Sequence, residues 1–244
     1  MKLILVSVFA LLVLIVQTAD GDVIPTPPPT TMTSTQQQIL NAINNCRRNV
    51  DPTATNMLQV EWNKAAQLTA QKYAETCSMV HSSSEARRSN GTDCGENLYM
   101  ASYAASWDEA INAFCNEKNY FEYGKGATTP GAVFGHYTAL VWYNSYLVGC
   151  GVAHCPDHPQ YKFFYVCHHC PAGNIQGQTT TPYEKGPSCG KCPSNCKDKL
   201  CTNPCRQEAD VYSNCKDLKD YCPYDPNIIK NCKSSCNCKN NEII

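Results

Sequence analysis

Apolar residues recur every three or four positions through Ile39, Ile43, Cys46 and Val50, the spacing of one helical face. Just upstream, Thr35-x-x-Gln38 has the form of a capping box, in which side chains satisfy the free backbone N–H groups of a helix start. Asp51-Pro52 ends this first helix, because proline cannot continue it. A second helix is predicted from near Trp62, with Ala66, Thr69, Tyr73 and Cys77 on one face. Ser106-x-x-Glu109 opens a third, running through Ile111, Phe114 and Cys115. Ser82 to Thr92 is polar and Asn119 to Val133 is rich in Gly, Tyr and Thr; both predict loops. The period then changes to two. Gly135-His136-Tyr137-Thr138-Ala139-Leu140-Val141-Trp142 alternates and then turns apolar, which predicts a buried strand with His136 at its mouth. Tyr146 to Val152 and Lys162 to Cys167 supply two more apolar stretches. Helices and strands alternate without a strict βαβ rhythm. The expected fold is therefore α+β, an α-β-α sandwich around a mainly antiparallel sheet.

The two ends of the chain read differently. Met1-Lys2 precedes an apolar run from Leu3 to Val16, too short for a spanning helix and suited to a secretory signal over residues 1–21, cleaved after Gly21 or after Ala19. No later stretch is long and apolar enough to cross a bilayer. Residues 22–34 are rich in Pro and Thr and predict a linker. At Pro187 the composition changes: ten of the last 59 residues are Cys and large aliphatics are few. So small a segment cannot bury enough apolar surface alone, and disulfides must supply the missing stability. The whole chain holds 18 cysteines, an even number, as expected of a secreted, extracellular protein. In that setting Asn90-Gly91-Thr92 is a glycosylation sequon at Asn90. A net charge of −1 gives no support to nucleic acid or an anionic membrane as partner.

Candidate chemistry lies in the histidines. His154, His158, His168 and His169 stand near Cys155, Cys167 and Cys170, a metal-like mix that an oxidised chain is expected to spend on disulfides instead. His81 and His136 remain, with Glu96 in Cys94-Gly95-Glu96-Asn97 and Glu117 near the end of the third helix. There is no Ser in a nucleophile elbow and no His-Glu-x-x-His helix.

Asn44 to Arg48, Cys94 to Asn97, Gly135 to Trp142, and Tyr165 to Ile175 resemble the motifs of the CAP superfamily. With the Pro187–Cys201 segment and the six-cysteine tail, the chain from about Ser34 onward resembles the cysteine-rich secretory proteins (CRISP). The resemblance implies a CAP domain over 35–186, a cysteine-rich hinge over 187–203, and an ShK-like ion-channel-regulator domain over 204–244. It also implies a large cleft where His81, Glu96, Glu117 and His136 can hold zinc, a donor set that suits Zn²⁺ in type and charge. Three positions depart from the family pattern: Ile43 stands in place of a first-helix histidine, Ala139 of a glutamine, and His169 of a tyrosine. Ala139 makes its part of the cleft less polar.

The same resemblance implies the pairings Cys77–Cys155, Cys94–Cys170 and Cys150–Cys167 in the large domain. In the rest it implies Cys189–Cys196, Cys192–Cys201, Cys205–Cys238, Cys215–Cys232 and Cys222–Cys236. Cys46 and Cys115 are left over, either as a ninth bridge between the first and third helices or as two buried thiols. The tail resembles the small domain of sea-anemone potassium-channel blockers. That implies binding to an ion channel or cell-surface protein, with Tyr212, Lys216, Lys219, Tyr221, Tyr224, Lys230 and Lys233 as candidate contacts. The expected role is non-enzymatic. The alternatives are a zinc-dependent hydrolase, in which a metal or Glu–His pair activates water, and a sterol- or lipid-binding protein.

Overall fold

Thr33 starts the first element. In the computed structural model, which describes residues 32–202, 211–212, 214–215 and 217–237, the Thr33 hydroxyl accepts the Gln36 N–H. The Gln36 side chain in turn accepts the Thr33 N–H. The capping box thus lies one Thr earlier than the predicted Thr35-x-x-Gln38, and α1 runs Ser34–Arg48. There follow β1 (Glu61–Trp62), α2 (Lys64–Ala74), β2 (Gly95–Ala101), α3 (Trp107–Asn116), the short strands β3 (Phe121–Glu122) and β4 (Gly126–Ala127), α4 (Gly135–Leu140), β5 (Leu147–His154) and β6 (Phe163–Cys170). Then come β7 (Cys196–Lys197), β8 (Leu200–Cys201), α5 (Pro226–Asn231) and α6 (Lys233–Asn237). The predicted signal segment, most of the predicted 22–34 linker, Lys216 and the implied Cys205–Cys238 pair lie outside the described residues.

The main sheet has the order β1-β5-β6-β2. β6 is antiparallel to both β5 and β2, while β1 runs parallel to β5. On one face Ala70 and Ala74 of α2 pack with Leu98, Phe164 and Val166. On the other, Ile39, Ile43, Ile111, Phe114 and Leu140 from α1, α3 and α4 pack with Val148 and Cys167. These are the layers of the expected α-β-α sandwich. The α2 layer sits very close to the sheet, because its inward residues are alanines and the strand beneath carries Gly149 and Gly151. A Cβ on Gly149 would lie 1.9 Å from the Gln67 nitrogen, and one on Gly151 2.4 Å from the Gln71 Cα. Gln71 adds a strand-like pair of hydrogen bonds, donating to Val152 C=O and accepting from Val152 N–H, each at 3.1 Å.

Arg47 anchors the opposite layer. Its side chain is buried, and it donates to the carbonyls of Leu58, Leu140, Trp142 and Tyr143. Burial pushes its pKa down to about 9, so the charge persists at neutral pH. Four carbonyl dipoles offset the cost of burying it and fix the chain leaving α4 against α1.

Several local readings are corrected. Gly135 to Leu140 is a helix, not a strand. Glu117 supplies the reason: its carboxylate accepts the backbone N–H groups of His136 and Tyr137, capping α4 from a distant element. Trp62 belongs to β1, so the second helix begins only at Lys64 with Asn63 as its cap, and it ends at Ala74, before Cys77. Gly95 to Ala101, for which no element was predicted, is β2. The 119–133 loop contains the small β3–β4 pair. Ser106 caps α3 as expected.

Among the described residues every cysteine is in a disulfide. All implied pairings within them are present, and Cys46–Cys115 bridges α1 to α3. The segment after residue 186 is seated on the large unit as far as Thr202. Leu200 is fully buried in the main core, Cys201 N–H donates to Met57 C=O, and Gln59 N–H donates to Cys201 C=O. Farther on, Cys215, Cys222 and Cys232 form the buried interior of the tail. No described helix is long and apolar enough to cross a membrane.

Candidate functional site

β2 is an outer strand of the sheet, and its alternation sends Glu96 to the α2 side and Asn97 to the α4 side. Each side carries one histidine–glutamate pair. On the first, His81 Nδ1 donates to Glu96 Oε1 at 2.8 Å, and the Ser82 N–H joins it at 2.9 Å. The other oxygen, Oε2, accepts from Ser82 Oγ at 2.7 Å and His168 Nε2 at 3.1 Å. His168 stands directly across β6 from Glu96. On the second side, His136 Nδ1 donates to Glu117 Oε1 at 2.7 Å. The His136 ring stacks on Phe114 at 5.2 Å. Asn97 Nδ2 donates to His136 C=O at 3.0 Å, and Asn174 Nδ2 donates to Gly135 C=O at 2.8 Å, so both ends of the site are tied to the start of α4.

Glu96 is enclosed, and burial alone would raise its pKa. Hydrogen bonds from His168, from the Ser82 hydroxyl and N–H, and from His81 outweigh that and hold it at about 2. Its four acceptor positions are filled. A cleft of about 410 Å³ opens beside it, lined by His81, Glu96, Ala139, His169, Gly173 and Asn174 among others. His169 is buried at the cleft wall. Burial chiefly, with help from the nearby charges of His168, Arg47 and His136, drives its pKa down to about 3 and keeps the ring neutral. Gly173 is required there, since a Cβ would lie 2.5 Å from the Trp142 ring.

The four residues expected to hold zinc therefore stand as two pairs rather than as one closed cage. Among the described residues, the only three potential ligand atoms lying within 4.8 Å of one another belong to Cys189, Cys192 and Cys201, whose sulfurs are already in disulfides. The donor chemistry still fits zinc through the two imidazoles. Each histidine spends Nδ1 on a carboxylate, which leaves Nε2 as a lone-pair donor oriented by its glutamate. In the sequence Asn97 and Asn174 fall inside motifs with no role of their own, and His168 belongs to the metal-like His/Cys mix set aside in favour of disulfides. The sequence places Thr69 only on a helical face, and Ser82 only at the start of a polar loop. Only the strand register and the packing of α2 on β6 bring them in.

An α-β-α sandwich with a His–Glu pair on each side of an outer strand defines a CAP-type protein. The family model described as "Cysteine-rich secretory protein family" matches residues 40–169, and a second, "Crisp", matches residues 189–243. The chain belongs to the cysteine-rich secretory protein family. It is 50% identical over 212 residues to "Cysteine-rich secretory protein 3" of Homo sapiens, covering 86% of each chain. It is 42% identical over 238 residues to "Cysteine-rich venom protein helothermine" of Heloderma horridum horridum, covering 97% of this chain and 98% of that one. Among solved structures it is similar to NaASP2 crystallised with Zn²⁺, at a TM-score of 0.57 and 28% identity, covering 72% of this chain and 99% of that one.

Proposed function

We propose that this chain is exported and acts as a non-enzymatic binding protein, whose stapled tail engages an ion channel or another cell-surface protein. The observation that carries this reading is the inverted character of the tail. Cystine sulfur fills its interior, while Val211, Tyr212, Tyr221, Tyr224 and Ile229 are exposed, Tyr224 at 84%. Lys219 and Lys230 occur in the same stretch. Large exposed apolar groups on a rigid support favour association, because little ordering remains to be done on binding. Asn90, exposed at the tip of a tight turn, is the proposed glycan attachment point. The test is a thallium-flux and patch-clamp panel with the full chain against Tyr221→Ala/Tyr224→Ala. Wild-type modulation that the double variant loses supports the reading; equal effects of the two chains refute it.

Zinc is proposed to bind through His81 Nε2, from the cleft lining, and His136 Nε2, from the start of α4, with Glu96 and Glu117 as orienting partners. Support comes from the two carboxylate-held imidazoles and from the relative crystallised with Zn²⁺. Bound there, the ion would act as a Lewis acid or as a structural link between the two layers. Glu96, with every acceptor position occupied, is poorly placed to take a proton from water, which favours binding over hydrolysis. Competition with a chromophoric chelator checks the site: His81→Ala and His136→Ala should each abolish tight zinc uptake.

A further inference from the structure

The hydrogen-bonded chain behind His81 does not stop at Glu96. His168, which donates to Glu96 Oε2, is fully enclosed, and its Nδ1 lies 2.8 Å from Thr69 Oγ1 on α2. The Thr69 oxygen is also 3.0 Å from Ala66 C=O, one turn back. Neither Thr69 nor His168 lines the cleft. The ionised carboxylate only accepts, so the His168 nitrogen nearest it carries a proton whichever way the Thr69 hydroxyl turns. That proton and the Ser82 hydroxyl fix the carboxylate plane from behind. Oε1 is then aimed at the Ser82 N–H and at His81.

His81 depends on that aim. Its side chain is 59% exposed, and Glu96 is the partner that holds it. An exposed imidazole without such a partner samples both tautomers and several rotamers. We propose that Thr69 and His168 are positioning residues for His81. From the α2 layer they lock Glu96, and through it they hold His81 as the Nδ1–H tautomer with a bare Nε2 toward the cleft. The zinc reading enters only through an affinity measurement; the tautomer belongs to the metal-free chain.

Thr69→Val keeps the side-chain shape and removes the hydroxyl. Thr69→Ser restores it, and His168→Asn shortens the donor. Long-range ¹⁵N imidazole spectra of the metal-free, disulfide-intact chain read the His81 tautomer, and chelator competition reads zinc affinity. The wild type and Thr69→Ser should show His81 protonated on Nδ1 alone. Thr69→Val and His168→Asn should show mixed tautomers, with zinc affinity down about threefold and about tenfold, at or below the low end for outer partners of a metal ligand. A wild-type tautomer in folded Thr69→Val or His168→Asn overturns the proposal. So does Thr69→Ser behaving like Thr69→Val, because the effect is then one of packing. If the wild type takes up no zinc, the metal reading fails while the tautomer data still decide this one.

Discussion

Glu96→Gln should flatten the acid limb of this protein's stability curve. The folded carboxyl has a pKa of about 2 against 4.5 for a free glutamate. Because the folded value is the lower one, its contribution is complete above the free value and drains away as pH falls from 4.5 toward 2. At about 1.4 kcal/mol per pKa unit the full contribution is roughly 3 kcal/mol, and the side chain is enclosed, so solvent screening takes little from it. By about pH 3, roughly 2 kcal/mol of this should be gone. Glutamine carries no such titration. At neutral pH it sets an NH₂ group against donors on one side or the other, His81 and the Ser82 N–H or His168 and the Ser82 hydroxyl, at a cost of about 1–3 kcal/mol. The assay is guanidinium unfolding with disulfides intact at about pH 6 and about pH 3, followed by tryptophan fluorescence with the denaturant slope as control. The stability gap between wild type and variant should narrow by about 2 kcal/mol over that range. A gap that stays constant would show that the four hydrogen bonds do not hold the carboxyl down.

Two further outcomes follow from the packing. Gly149→Ala places a methyl more than an ångström inside contact distance of the α2 backbone; it should cost about 3 kcal/mol or more, read as a lowered melting temperature or lost secretion, and a wild-type melting curve would refute the close approach. Cys46→Ser/Cys115→Ser removes the α1–α3 bridge and should lower unfolding free energy by about 2–4 kcal/mol, with native-like circular dichroism.

Those elements whose chemistry is local were legible in the chain. Ser106 announces α3, and the apolar stretch from Tyr146 to Val152 announces β5, because capping and runs of buried residues are short-range effects. The Gly135–Leu140 segment was misread for the opposite reason. Its two-residue rhythm fits a strand, and what makes it a helix is a carboxylate from Glu117 that no local window contains. The same limit applies to the site. His81, Glu96, Glu117 and His136 came from motif resemblance, whereas their partition into two pairs depends on which face of β2 each element approaches. Thr69 looked like one more position on a helical face until the register of β6 set His168 against it.

The docking of Cys201 against the Met57–Gln59 stretch makes the segment after residue 186 part of the large unit's own framework. Cystines Cys189–Cys196 and Cys192–Cys201 lock the same stretch from within, so heat or denaturant cannot peel Thr202 away without first opening the core around Leu200.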